Sequence, residues 1–336
     1  MDKLTVITPS ATIINIDQLV KNRFNDKSIQ SSVSPSEIIM EYVGRICYNS
    51  HKSMTDNSVQ SFLSSAAKKG HKTIFEFSNF QYMIPLQNFN FTPSKYVTLD
   101  HYNSNTSIVC MKGSLRGYIE ILESYLIDPT QSLEIFIGIY ASLFQQWGYI
   151  LESWPSANSL KALFNQFTHL AKKVYIVDDD HKSIMVDTTP DYYNTSKDTK
   201  ILSLIDCDRA SAMEIVRHRP QSVQMESQRY VRFNEANPYS ICLGSYFEKI
   251  DNLDMDKFKQ QIINQFDYYT ELLNYMKPED ARVVLPNCAS TKLFIYATKE
   301  EYRHIFNLRQ SKYAWKPVKQ LMDMLYFKFI NQGITL

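Results

Sequence analysis

The sequence predicts a globular α/β (α+β) protein, because helix-like and strand-like patterns alternate along its 336 residues. Residues 37–49 carry apolar side chains at the three- and four-residue spacing of a helix with one buried face. Residues 75–82 instead place an aromatic side chain at every second position, with one change of phase, which is typical of a strand. The hydrophobic content of 44% supplies enough apolar surface for a core that needs no disulfide or metal cross-link.

Local signals predict where the first elements begin and stop. A strand is expected at residues 4–8, near the start of the chain. Ser34-Pro35-Ser36 is a start signal for the helix at 37–49. A second helix is expected to run through Lys69, where Gly70 would stop it.

The middle of the chain, residues 86–200, differs in character from the rest. It contains apolar stretches of helical period followed by a polar run, so we expect an inserted, mainly helical subdomain that ends in a flexible return. The helical stretches are 116–127, 133–151 and 159–173.

The last third of the chain predicts a regular succession of helices and one strand. Asp208 is expected to cap a helix at 208–219 that Pro220 ends. The later elements are expected at 253–276 (helix), 292–297 (strand), 299–309 (helix) and 316–330 (helix).

Composition excludes several classes of function. Lys and Arg number 36 against 35 Asp and Glu, so no global charge favours a nucleic acid or an anionic membrane as a partner. The eight glycines are scattered and form neither GxGxxG nor a P-loop, so side chains would have to hold any phosphate. The five cysteines include no CxxC pair, which predicts no metal site and a reducing, cytoplasmic location. The low glycine content is compatible with a virus- or phage-encoded protein acting in a host cytoplasm.

Basic side chains are concentrated in one short segment. Five of the eleven arginines lie between residues 209 and 232, together with His218. Guanidinium groups bind phosphate bidentately and stack on flat rings, so the cluster suits a ligand that is both phosphorylated and aromatic. The segment after Pro220 is expected to be extended, which would put Ser227 and Arg229 on one face. The alternative is a surface helix followed by a polar loop.

This segment resembles the signature of the flavin-dependent thymidylate synthases. It reads Arg217-His218-Arg219, seven residues, then Ser227, and continues as Gln-Arg-Tyr. Four other stretches agree in order and kind: EYVGRICYNS (41–50), GHKTIFEF (70–77), ARVVLPN (281–287) and YRHIFNLRQSKYA (302–314). The resemblance covers about residues 35–85 and 205–325.

The resemblance implies a fold, an activity and an assembly. The fold would be a mixed or antiparallel sheet flanked by helices, with residues 1–85 and 201–336 as the synthase core and 86–200 as the insertion. The activity would be FAD-dependent methylation of deoxyuridylate (dUMP) to dTMP, with 5,10-methylenetetrahydrofolate as the carbon donor and NADPH as the reductant. The assembly would be a homotetramer with shared active sites.

The same resemblance implies roles for individual residues. Those expected at FAD and folate are His71, Thr73, Glu76, Arg217, His218, Arg219, Gln224 and His304. Those expected at dUMP are Glu214, Ser227, Arg229, Arg282 and Arg309. Arg309, Ser227 and Arg229 are taken as the catalytic residues. We expect Ser227 to contact substrate rather than act as a nucleophile, because the motif supplies no base for it.

Three alternatives remain open. The folate-only thymidylate synthases use a cysteine nucleophile, and Leu285-Pro286-Asn287-Cys288 resembles their proline-cysteine segment. However, Ala289 stands where a histidine is expected. A related enzyme could hydroxymethylate dUMP or act on another pyrimidine, since a motif determines a site more securely than a product. The chain could also bind nucleotide without catalysis. Phe77 and the segment AWKPVK (314–319) depart from the family pattern.

Overall fold

The computed structural model describes residues 3–24, 33–85, 92, 94–101, 108–128, 130–168, 185–187, 199–218, 221–234, 237–244, 247 and 250–336. The chain divides into two compact units. The first unit comprises Met1–Asn15, Gly44–Lys52 and Asn194–Leu336, and the second comprises Ile16–Val43 and Ser53–Tyr193. The assignment of a synthase core and an insertion at 86–200 stays a prediction.

Helices and strands alternate along the described part of the chain. The helices are α1 (Ile16–Asn22), α2 (Pro35–Cys47), α3 (Ser58–Lys68), α4 (Leu115–Ser124), α5 (Leu133–Ser153), α6 (Ala157–Gln166), α7 (Arg209–Ile215), α8 (Met255–Leu272), α9 (Pro278–Ala281), α10 (Lys299–Arg309) and α11 (Lys316–Asn331). The strands are β1 (Leu4–Ile7), β2 (Ser10–Ile13), β3 (Phe80–Pro85), β4 (Val97–His101), β5 (Ile108–Gly113), β6 (Met185–Asp187), β7 (Lys200–Asp208), β8 (Ser222–Met225), β9 (Tyr239–Cys242) and β10 (Ser290–Thr298).

The first unit is built on an antiparallel sheet in the order β2-β7-β10-β8. β7 and β10 pair along their full nine-residue lengths, from Ser290 opposite Asp208 to Thr298 opposite Lys200. Helix α11 packs against β2 and α10, where the rings of Tyr302 and Phe329 lie 4.8 Å apart. A parallel pair, β1 and β9, packs its apolar side chains with those of α8. This frame carries α7, β8 and α10 at fixed positions along two long strands.

Side-chain caps determine where three helices of the first unit begin. The Asp208 carboxylate accepts from Ser211 N at the start of α7, and Asp254 accepts from Lys257 N at the start of α8. Thr298 opens α10 with a capping box. Such caps satisfy backbone N–H groups that have no partner within the helix. The predicted starts at Asp208 and near residues 253 and 299 are confirmed to within two residues.

The second unit is built on an antiparallel sheet in the order β4-β5-β3-β6, with α3 and α4 packed against α5. Gly113 ends β5 where the backbone of Tyr96 approaches it. A Cβ atom added there would lie 2.4 Å from Tyr96 O, so only glycine fits. Within residues 86–200 the described elements are α4, α5 and α6 together with β4, β5 and β6, and much of the polar run lies outside the described residues.

Most predicted elements are confirmed, and two are wrong in part. The strand expected at 75–82 is a 3-10 helix at Lys72–Glu76 followed by β3 from Phe80. Phe75 and Phe77 are both fully buried because the 3-10 helix packs against α3 and α4, so their spacing does not reflect strand geometry. The helix expected at 208–219 ends at Ile215, whose carbonyl accepts from His218 N and from the Gln221 side chain. The long buried strand β7 was not predicted.

Candidate active site

The candidate site residues of the first unit lie at the two ends of strand β8. β8 pairs with β10 from Ser222 opposite Tyr296 to Met225 opposite Leu293. The segment after α7 leads into one end, and a turn follows the other. We call the residues at the first end the amino-end cluster: Glu214, Arg217, His218, Gln221, His304 and Arg309. Those at the second end form the carboxyl-end cluster: Glu226, Ser227, Arg229, Glu279 and Arg282.

Arg309, the last residue of α10, organises the amino-end cluster. Its Nε donates to His218 Nε2 at 2.7 Å, and its Nη2 donates to the Glu214 carbonyl at 3.0 Å. Its Nη1 also lies 3.3 Å from Glu214 Oε2. The guanidinium therefore ties the end of α7 to the end of α10 by three charge-assisted contacts.

His218 is held as a neutral imidazole. Burial, together with the positive charge of Arg309 and the effect of the neighbouring His304, lowers its pKa to about 4, against the opposing effect of Glu214. Because Nε2 accepts from Arg309, the single ring proton lies on Nδ1. The ring therefore presents a hydrogen-bond donor on its other side at neutral pH.

The amino-end cluster opens on a pocket of about 540 Å³. Its lining includes His218, Gln221, His304 and Asn307. Gln221 is 2% exposed, and its Nε2 donates to the Ile215 carbonyl, so its Oε1 is the amide's acceptor end. Within the described residues this Oε1 has no hydrogen-bond partner. A buried acceptor of this kind marks a place where a hydrogen-bond donor is missing.

The Ser227 backbone begins a turn at the other end of β8. Ser227 N donates to Cys47 O, and the Ser227 carbonyl accepts from Tyr230 N and Val231 N. The expectation that Ser227 and Arg229 share one face of an extended segment is therefore wrong. The role of Ser227 as a substrate contact rather than a nucleophile stays a prediction.

Arg229 and Arg282 meet at Glu279. The Arg229 guanidinium lies 3.0 Å from Glu279 Oε2 and is 54% exposed, and Arg282 Nε donates to the Glu279 carbonyl. Arg209 belongs to the same region, because burial and the positive charge of Arg282 lower its pKa. Arg282 thus contacts the Glu279 backbone rather than its carboxylate, and the Arg209 and Arg282 guanidinium groups lie close enough for their positive charges to repel each other.

Glu226 is a titratable group that the sequence did not single out as a site residue. Burial, together with the negative charge of Asp206, raises its pKa to about 7, while Lys292 opposes the shift. Lys292 itself is paired with Asp206 at 2.6 Å. No local motif could have revealed this, because the burial of Glu226 depends on the pairing of β8 with β10.

The other predicted site residues are placed as follows. Arg217 is exposed and 3.4 Å from Glu214, His304 lies on the pocket with its ring 6.4 Å from that of His218, and Gln224 is buried within β8. Arg219 lies outside the described residues. His71, Thr73 and Glu76 belong to the second unit, where the buried Glu76 carboxylate is paired with Arg116 at 2.5 Å. Their predicted role at flavin stays a prediction.

The alternative based on a cysteine nucleophile loses support. Burial raises the pKa of Cys288 to about 11, and the negative charge of Asp208 raises it as well. The thiol is therefore protonated at neutral pH, whereas a catalytic cysteine needs a lowered pKa.

In the described part of the chain, no helix is long and apolar enough to cross a membrane, and no group of three His, Cys, Asp or Glu side chains could hold a metal ion.

Comparison with known proteins gives a consistent result for the carboxyl-terminal region. Residues 199–331 match the family model described as "Thymidylate synthase complementing protein". The flavin-dependent thymidylate synthase of Pyrococcus furiosus is 29% identical over 124 residues, which cover 37% of this chain and 51% of that protein. The Geobacter sulfurreducens protein of the same name is 34% identical over 119 residues, 35% of this chain and 50% of its own. The resemblance seen in the motifs is confirmed.

Two further similarities extend the comparison. A probable flavin-dependent thymidylate synthase of Mycobacterium phage D29 is 23% identical over 164 residues, which cover 45% of this chain and 64% of its own. A crystal structure of the Helicobacter pylori flavin-dependent thymidylate synthase complexed with FAD and dUMP matches 40% of this chain and 70% of its own, at 19% identity and a TM-score of 0.32. The chain spans about half the length of the curated archaeal and Geobacter relatives it matches.

Proposed function

We propose that this chain, whose residues 199–331 match the family model described as "Thymidylate synthase complementing protein", methylates dUMP at carbon 5 to give dTMP. FAD would be the cofactor, 5,10-methylenetetrahydrofolate the carbon donor and NADPH the reductant. The observation that carries the proposal is the motif from Arg217 to Arg229, which spans β8 and has His218 bonded to Arg309.

The amino-end cluster fits a flavin. Its pocket of about 540 Å³ has the size of a cofactor cleft, and the unpartnered Gln221 Oε1 requires a donor such as a ring N–H. His218 and His304 would contact the ring, and the exposed Arg217 would meet negative charge. FAD would supply the electron transfer that the reaction needs. His71, Thr73 and Glu76 of the second unit are proposed at FAD from the motif resemblance alone.

The carboxyl-end cluster suits a nucleotide phosphate. Arg229 and Arg282 would hold it, because planar guanidinium groups donate paired hydrogen bonds to phosphate oxygens, and Ser227 would contact the nucleotide. Glu214 and Arg309 are also proposed at dUMP, where Arg309 would stabilise negative charge that develops on a uracil carbonyl. The homotetramer with sites shared between subunits is proposed from the family resemblance.

A flavin spectrum with nucleotide titration tests the proposal. The purified chain is expected to be yellow, or to become so with added FAD, and its absorbance should bleach with NADPH faster when dUMP is present. A colourless chain that takes up no added FAD would contradict it. The mass of the product formed from dUMP, methylene folate and NADPH distinguishes methylation from hydroxymethylation. A reducing, cytoplasmic setting is proposed as well, from the absence of a CxxC pair in the sequence.

A further inference from the structure

Two cysteines face each other where β9 meets the segment that enters β10. Ile241 and Ala289 form an antiparallel bridge, and Cys242 N donates to the Cys288 carbonyl at 2.9 Å. In an antiparallel pair, one step forward along one strand matches one step backward along the other. Cys242 therefore lies directly opposite Cys288.

This placement meets the geometric requirement for a disulfide. Directly opposed residues of antiparallel strands have Cα atoms about 4.5–5.5 Å apart and side chains on the same face. Disulfides join cysteines whose Cα atoms are about 4.4–6.8 Å apart. Neither thiol is in a disulfide here, and the Cα separation expected for opposed residues lies within that range.

The two thiols differ in access. Cys242 is 2% exposed, between Ile7 of β1 on one side and Cys288 on the other. Cys288 is partly exposed, because it lies in the short segment before β10. An oxidant in solution therefore reaches Cys288 first, and Cys242 is positioned to react second.

We propose that Cys242 and Cys288 form a reversible disulfide in response to low-molecular-weight disulfides. The Cys288 thiolate attacks the external disulfide, forming a mixed disulfide and releasing one thiol. The Cys242 thiolate then attacks Cys288 Sγ, forming the internal S–S bond and releasing the second thiol. The two protein thiols lose two protons and two electrons, and the external disulfide gains them.

The surroundings make this reaction slow at neutral pH. Burial raises the pKa of Cys288 to about 11 and that of Cys242 to about 12, and Asp208 adds to both shifts. Since only the thiolate attacks, the rate is expected to rise about tenfold for each pH unit between 7 and 10. The pair would accordingly respond to sustained oxidation rather than to brief exposure.

The cross-link would enclose residues 243–287. This loop contains α8 and the Glu279–Arg282 part of the carboxyl-end cluster. Closing a loop restricts the unfolded chain, so the oxidised protein is expected to unfold at a temperature about 3–8 °C higher. The disulfide would also join the end of β9 to the segment that enters β10.

The test is oxidation of the full chain with oxidised glutathione at pH 8.5, followed by peptide mapping without reductant. We expect a peptide that links Cys242 to Cys288, a mass about 2 Da lower than that of the reduced protein, and full reversal by dithiothreitol. The substitutions Cys242→Ser and Cys288→Ser should each abolish the linked peptide. Cys110→Ser, in a strand of the second unit, should leave it unchanged.

Other products of the same experiment would overturn the proposal. These are a Cys207–Cys242 link, a Cys288–Cys288 link between two copies, or a stable glutathione adduct on Cys288 with Cys242 still reduced. If Cys288→Ser fails to fold, alkylation of the native protein gives the same information. Prior blocking of Cys288 alone should prevent oxidation of Cys242. None of these outcomes depends on whether the chain binds FAD or dUMP.

Discussion

The two ends of strand β8 hold their charged side chains in different ways, although the strand is only four residues long. At the amino end, Arg309 is 20% exposed and directs all three guanidinium nitrogens at His218 and Glu214. At the carboxyl end, Arg229 is 54% exposed and forms an ion pair with one carboxylate, that of Glu279. Arg309 is therefore hydrogen-bonded within the chain, whereas more than half of the Arg229 side chain is accessible to solvent or to a ligand.

This difference separates two requirements of a site that binds two anionic ligands. A side chain that must keep its geometry is best held by internal hydrogen bonds, which cost stability when they are removed. A side chain that must meet a phosphate is best left exposed, where an ion pair with Glu279 contributes little. We therefore expect substitutions at the amino end to change stability and those at the carboxyl end to change nucleotide affinity.

The largest expected effect is the pH dependence that His218 gives to the amino end. Its pKa is lowered to about 4 in the folded chain from the usual 6.5, so the unfolded chain binds a proton first as pH falls. Relative to His218→Gln, which cannot titrate, the native chain should lose about 3 kcal/mol of unfolding free energy between pH 6.5 and 4. Urea denaturation at intervals of half a pH unit measures this difference. Parallel curves for the two proteins would show that His218 is not held neutral.

Arg309→Ala should destabilise the chain by about 2 kcal/mol, because hydrogen bonds to a charged group contribute roughly 1.5–3 kcal/mol. Arg303→Ala is the matched control on the same helix. Arg303 is 49% exposed and reaches only Glu300, at 3.7 Å, among the ion pairs of the described residues. Its loss should cost less than about 0.5 kcal/mol. Equal losses of unfolding free energy for Arg309→Ala and Arg303→Ala in urea denaturation would contradict the distinction between internally hydrogen-bonded and exposed arginines.

Glu226→Gln should raise stability above neutral pH by roughly 3 kcal/mol. The folded pKa of about 7 exceeds the usual 4.5, so the unfolded chain ionises first as pH rises and the native state is penalised. The gain should be absent at pH 4, appear between pH 4.5 and 7, and be complete at pH 8. Glu300→Gln, at a 69% exposed side chain, should give a flat difference over this range. A variant less stable than the native chain at pH 8 would contradict the account of Glu226.

Arg229→Ala should leave the unfolding free energy within about 0.5 kcal/mol of the native value. Its effect should appear in dUMP affinity, which is expected to fall about tenfold or more, since a charged donor to the nucleotide is lost. Arg217→Ala is the comparison, because Arg217 is also exposed, at 72%, but lies at the other end of β8. It should weaken FAD binding more than dUMP binding, as measured by fluorescence titration. The reverse order would exchange the ligands proposed for the two clusters.

Local chemistry in the sequence predicted much of the frame on which these clusters lie. Asp208 is found as a helix cap, as predicted, because capping involves a neighbour three residues away. The contact between Arg309 and His218 joins residues 91 positions apart, and no local pattern contains it. The motif indicated which residue types belong to the site. The sheet determines which of these residues lie at which end of β8, and its inner strand β7 was not predicted.

Side-by-side urea denaturation of Arg309→Ala and Arg229→Ala, without ligands at pH 7.5, tests the contrast between the two ends of β8 most directly. The unfolding free energy of Arg309→Ala should be lower than that of Arg229→Ala by about 1.5 kcal/mol or more. Unfolding free energies that agree within about 0.5 kcal/mol, or a larger loss for Arg229→Ala, would contradict it.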